Sequence, residues 1–117
     1  MKKLLFICSR NRLRSPTAEA VFSKWPNVEA MSAGLNPDAE LRVSVEMIEW
    51  ADAIFVMEPA HKKKLSKQFN GPLKGKQVII LGIPDEYEYM QKELVQLLEA
   101  KVPRYLNTPG DFVPLVC

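Results

Sequence analysis

Four short apolar runs divide the 117-residue chain, and each is followed by a segment with helical spacing. This alternation constrains the fold more than any other feature. The runs occupy residues 3–8, 28–32, 53–57 (AIFVM) and 77–81 (QVIIL), and they carry few polar positions to face solvent. Strands that are apolar on both faces, with helices between them, predict a parallel sheet covered on two sides. Right-handed crossovers leave few ways to connect such a sheet. The helical segments are predicted over residues 16–25, 41–50, 59–69 and 87–102, the last with Met90, Leu94, Leu97 and Leu98 at the 3.6-residue period. Leu41, Val45 and Ile48 are expected to share the buried face of the second, and Leu65 and Phe69 that of the third. The fold class is therefore α/β, a single domain over 1–117 with helices on both faces of a four-stranded parallel sheet. The stretch NTPGDFVPLVC, from about residue 107, has no periodicity and is predicted to be an irregular tail. No internal repeat or linker interrupts the pattern.

A formal charge of +2 is too small to argue for nucleic acid or a membrane surface, and Lys62, Lys63 and Lys64 read as a solvated helix face. With only Cys8 and Cys117, no disulfide framework is available, which suits a reducing cytoplasm. The short apolar run after Lys2 and Lys3 leads straight into arginines and does not read as a signal peptide. No run approaches the ~18 apolar residues of a membrane span. The lone His61 lacks cysteine or acidic partners at ligand spacing and is expected on a helix surface. Neither a metal site nor a cofactor is expected.

Ligands of open parallel sheets gather at the carboxyl ends of the strands. The first of those ends reads CSRNRLRSPTAEA, a cysteine with Arg10, Arg12 and Arg14 behind it and a serine-proline pair opening a helix. A phosphate dianion needs several N–H donors and positive charge held in place. A loop whose backbone amides form a nest, followed by a helix N-terminus, supplies both. Ser15 is expected to cap that helix, with Pro16 in its first turn. Arg14 has the planar fork to grip two phosphate oxygens. The same field favours the thiolate of Cys8, the nucleophilic form, with the Ser15 hydroxyl near it. The plainer reading of the same residues is a buried strand cysteine followed by a solvated turn.

CSRNRLRSPTAEA resembles the signature loop of the low-molecular-weight protein tyrosine phosphatases, C-x5-R-S followed by P-x-A-E-A. The likeness continues through Ser32-Ala33-Gly34, through AIFVM with Glu58 after it, and to Asp85, spanning roughly residues 3–98. The resemblance implies strand order 2-1-3-4 and a two-step phosphomonoester hydrolase working through phosphocysteine. It implies Cys8 as nucleophile and Arg14 as clamp, within a phosphate-binding loop of Ser9, Arg10, Asn11, Arg12, Leu13, Arg14 and Ser15. Ser15 would stabilise the thiolate. Asn11 would hold a strained backbone, and asparagine tolerates the left-handed region.

Expulsion of an alkoxide or phenoxide requires a proton donor. Asp85 occupies the family's position for it, with Glu86 as the nearest alternative; both acids also suit a helix N-terminus after Pro84. Glu58 is expected either to orient the cradle or to cap the helix at Pro59. The chain departs from the family pattern in three places. It reads Asp85-Glu86-Tyr87 where Asp-Pro-Tyr is usual, although Tyr87 remains a candidate for substrate contact. The segment after Gly34 is short and lacks an aromatic residue. Arg10 and Arg12 stand where glycine and an apolar residue are common, with no carboxylate closer in sequence than Glu19. These arginines favour a small or multiply phosphorylated substrate beside phosphorylated protein. Leu13 stands in place of a second loop cysteine, and Cys117 reads as an exposed terminal thiol. Two other readings stay open, a phosphate- or phosphopeptide-binding module without turnover and an arsenate reductase, which would need more cysteines than Cys8 and Cys117. Oligomeric state is not readable from the sequence.

Overall fold

The computed structural model describes residues 2–105, so the tail from 107 and Cys117 lie outside the described residues. Strand β1 (Lys2–Cys8) runs through the middle of the sheet, between β2 (Val28–Gly34) and β3 (Ala53–Val56), with β4 (Gln77–Ile80) beyond β3. All pairings are parallel and the order is β2-β1-β3-β4. The register sets Phe6 between Ser32 and Phe55, and Cys8 beside Gly34 at the carboxyl edge.

Strand side chains alternate between faces, so an unbroken apolar run serves two cores. Leu4, Phe6 and Cys8 point to one side, where Ala18, Val21 and Phe22 of α1 (Arg14–Phe22) and Leu94 and Leu98 of α4 (Lys92–Lys101) cover them. Leu5 and Ile7 point to the other, against Ile48 of α2 (Val45–Trp50) and Leu65 of α3 (Pro59–Gln68). Phe6 anchors the first layer, its ring 5.7 Å from that of Phe22 and 5.2 Å from that of Phe55. Each such side chain, fully buried, stabilises the fold by roughly 1.5–3 kcal/mol. A short 3-10 turn, Val102–Tyr105, follows α4.

The helices depart from expectation in instructive ways. α2 begins at Val45 instead of 41, because Ser44 caps it by accepting the Met47 N–H (3.3 Å). Leu41 and Val45 are exposed, and the Leu41 carbonyl accepts from the Gly34 amide (2.8 Å), extending the strand edge in place of a helix. α4 begins at Lys92, not 87; Met90 is exposed with φ 60°, a left-handed kink that breaks the apparent periodicity. β4 is an edge strand with Gln77 and Ile80 exposed, so it is less buried than its apolar run implies. Among the described residues, no helix is long and apolar enough to cross a membrane.

Candidate active site

Cys8 ends β1 and Arg14 starts α1, so residues 9–13 must turn the chain between a central strand and a covering helix. The turn is pinned from behind. The carbonyls of Cys8, Ser9 and Arg10 accept from the amides of Leu35 (3.0 Å), Asn36 (2.9 Å) and Glu40 (3.1 Å). Gly34 permits this approach: a Cβ there would lie 2.7 Å from the Ser9 carbonyl oxygen and 2.6 Å from the Ala39 Cβ. With its carbonyls held outward, the loop has donors left over. Among the described residues, the backbone N–H groups of Arg10, Arg12 and Leu13 donate to no protein acceptor. All three residues line a cleft of about 530 Å³ whose walls also include Cys8, Ser9 and Asp85.

Asn11 takes φ 56°, the left-handed conformation that asparagine tolerates, and is buried. Its backbone N–H donates to the Cys8 sulfur (3.2 Å) and its Oδ1 accepts from the Ser15 hydroxyl (3.0 Å). The Ser15 Oγ is 2.9 Å from Cys8 Sγ. A hydroxyl has one proton, so these contacts imply alternatives. While Cys8 is a thiol, its S–H donates to Ser15, which donates to Asn11; once Cys8 is a thiolate, the Ser15 proton can turn to the sulfur. Ser15 therefore does not cap α1 as expected. Leu13 is the N-cap, without a side-chain bond, and Ser15 sits fully buried inside the first turn. The hydroxyl that would have capped the helix serves the sulfur.

Arg14 is buried, with only 4% of its side chain exposed. Its Nη1 donates to Glu58 Oε1 (3.0 Å) and to the Ile83 carbonyl (2.8 Å), while Nε lies 3.8 Å from Asp85 Oδ1. Both Nη1 protons thus have acceptors, and the Nε–Nη2 edge is the one available to an anion. The three arginines are not remote from carboxylates as the sequence spacing implies. The fold brings Glu58 and Asp85 to Arg14, and Asp38 to within 3.6 Å of Arg10 Nε. Arg12 has no carboxylate partner among the described residues.

Glu58 fulfils both of its expected roles. It is the N-cap of α3, with its backbone N–H donated to His61 Nδ1 (3.2 Å), and its carboxylate holds Arg14. His61 itself corrects the sequence reading. It is buried, not on the helix surface, and its Nε2 lies 3.0 Å from Ser9 Oγ. Burial and the neighbouring Arg14 guanidinium hold its pKa below the ordinary 6.5, against the opposing pull of Glu58 and Asp85. The spacing Glu58-x-x-His61 was the available signal, since a side chain three residues into a helix can turn back to the N-cap amide.

Asp85 stands at the rim with 67% of its side chain exposed, directly across from the cradle. Glu86 is exposed and does not line the cleft. Tyr87 is half-buried against the α1/α4 core and is not among the lining residues. Among the described residues, no aromatic side chain lines the cleft. Lys62, Lys63 and Lys64 are exposed, and Lys64 Nζ donates to Asn36 Oδ1 (3.0 Å). Among the described residues, no group of three or more histidine, cysteine or acidic side chains is arranged to hold a metal ion.

No family model and no curated protein sequence matches the chain. Solved structures do. The YwlE arginine phosphatase from Geobacillus stearothermophilus is similar with a TM-score of 0.70 at 23% identity, over 93% of this chain and 95% of that one. Wzb from Vibrio vulnificus, bound to benzylphosphonate, gives 0.71 at 22% identity, over 89% and 96%. SP-PTP, a low molecular weight protein tyrosine phosphatase from Streptococcus pyogenes, gives 0.74 at 19% identity over 91% of each chain. The chain shares their α/β fold.

Proposed function

We propose that the protein is a metal-independent phosphomonoester hydrolase of the protein tyrosine phosphatase type, acting through phosphocysteine. One observation carries the reading: among the described residues, a buried cysteine lies at the floor of a loop whose outer amides have no protein acceptor, beside an arginine whose Nε–Nη2 edge makes no hydrogen bond and has Asp85 3.8 Å away. That arrangement answers the demand of a phosphoryl group whose equatorial oxygens gain stabilisation in the transition state. The Cys8 thiolate attacks phosphorus, the P–O bond to the leaving group breaks, and the Asp85 carboxylic acid gives that oxygen its proton. Water then attacks the phosphocysteine, Asp85 accepts a proton from it, and the S–P bond breaks to release phosphate and the thiolate. The neighbours of the same fold include tyrosine and arginine phosphatases, which supports a phosphorylated protein side chain as substrate. A nucleophilic thiolate needs a reducing compartment, in keeping with a cytoplasmic protein.

Arg12, which among the described residues has no carboxylate partner and lines a cleft with no aromatic wall, favours a second reading of the substrate: one carrying another anionic group near the phosphoryl group. Hydrolysis of para-nitrophenyl phosphate in the presence of a chelator tests the chemistry. The expected result is turnover by the wild type and none by Cys8→Ser; equal rates would remove Cys8 as nucleophile. Comparison of phosphotyrosine peptide, phosphoarginine peptide and a polyphosphorylated small molecule then ranks the substrates.

A further inference from the structure

His61 is buried against the cradle without touching the sulfur, and the reaction sequence above gives it no task. Its hydrogen bonds define one. The Glu58 backbone N–H points at Nδ1 (3.2 Å), so Nδ1 is an acceptor and the single proton of the neutral ring sits on Nε2. Nε2 in turn lies 3.0 Å from Ser9 Oγ and 3.7 Å from Glu58 Oε1, so Ser9 is the hydrogen-bond acceptor and the carboxylate is left to Arg14. A serine oxygen that accepts from His61 must direct its own proton elsewhere. Ser9 follows the candidate nucleophile and lines the cleft.

We infer that His61 is a positioning residue that turns the Ser9 O–H into the cleft, making Ser9 a side-chain donor to the bound phosphoryl group alongside the loop amides and Arg14. The inference rests on the phosphate-cradle reading. The first turn of α3 then orients two phosphate contacts at once: the Glu58 carboxylate sets Arg14, and the Glu58 amide, through His61, sets Ser9. Burial and the positive charges of Arg14 and Lys64, opposed by Glu58 and Asp85, lower the ring's pKa and so favour the one-proton form the relay needs; a doubly protonated ring would set N–H against the Glu58 N–H.

The test is a double-mutant cycle on the affinity for inorganic phosphate, measured by calorimetry on wild type, Ser9→Ala, His61→Gln and the double variant. A hydrogen bond to a charged group gives an expected loss of about 10-fold or more for Ser9→Ala. His61→Gln is expected to weaken phosphate several-fold in the wild-type background and to have almost no effect once Ser9 is alanine. Ser9→Thr, which keeps the hydroxyl, should restore binding. Equal losses from His61→Gln in both backgrounds, or an unchanged affinity in Ser9→Ala, would overturn the inference while leaving the cradle intact. Absence of phosphate binding by the wild type would instead overturn the cradle and the inference with it. Nitrogen-15 shifts of the His61 ring give a mutation-free check: an Nε2–H tautomer is expected, and an Nδ1–H tautomer contradicts the relay.

Discussion

At Cys8, the hydrogen bonds among Cys8 Sγ, Ser15 Oγ and Asn11 Oδ1 depend on the charge state of the sulfur. Ser15 is the one whose proton can follow the sulfur, so Ser15→Ala removes a hydrogen bond to the thiolate. Such bonds contribute about 1.5–3 kcal/mol, and kcat is expected to fall about 10- to 100-fold. Stopped-flow assays with para-nitrophenyl phosphate would check this, and an unchanged rate would detach Ser15 from the sulfur. Asp85 is distinguished by leaving group. Asp85→Asn should lower kcat/KM, which reports the step that forms phosphocysteine, by roughly 10²–10⁴-fold for substrates with poor leaving groups, the usual contribution of a general acid, and much less for para-nitrophenyl phosphate. A uniform loss across leaving groups would transfer the role to another residue. At this scale the sequence made Cys8, Asn11, Arg14 and Ser15 legible because the loop is contiguous. It hid His61 against Ser9 and Asp38 beside Arg10, since those contacts cross 52 and 28 positions.

Two elements hold the cradle to the rest of the molecule. On one side, the residues after β2 bind its carbonyls across a gap that only glycine permits. Gly34→Ala introduces a Cβ against the Ser9 carbonyl and Ala39, and overpacking of that kind costs about 1–3 kcal/mol. Chemical denaturation should show that loss, accompanied by weaker phosphate binding; a wild-type affinity would mean that the loop is set without this contact. On the other side, the Thr17 hydroxyl accepts from the Met90 amide (2.9 Å) and donates to the Leu13 carbonyl (2.6 Å), tying the segment after Asp85 to α1. Thr17→Val leaves that amide without its partner. The strands were legible because both of their faces are apolar. The starts of α2 and α4 were not, because Leu41 and Met90 sit at helical spacing yet lie in turns whose geometry is set by tertiary bonds: the Gly34 amide on the Leu41 carbonyl, and the Thr17 hydroxyl on Met90.

Over the whole molecule, the parallel sheet delivers the ends of β1, β3 and β4 to one edge, and the cleft lies there. The proposed substrate preference belongs to the charge at that edge. Arg12→Ala is expected to reduce the preference for a substrate with a second anionic group while leaving para-nitrophenyl phosphate turnover within about twofold, read from kcat/KM ratios. Stability should also report His61. Its folded pKa is lowered, so on acidification the unfolded chain takes up a proton first, near pH 6.5. The contribution of His61 is therefore complete above that value and is lost as pH falls from it toward the folded pKa. Denaturation midpoints at a series of pH values should fall in this window for the wild type and fall less steeply for His61→Gln. The proposed reaction turns on a covalent step at Cys8. It is tested most directly by quenching Asp85→Asn during turnover of para-nitrophenyl phosphate, whose leaving group needs little help while water still needs a base. Intact-mass and peptide analysis should then find one phosphoryl group on Cys8. Continued turnover with no phosphorylated protein, or a phosphoryl group on any other residue, would contradict it.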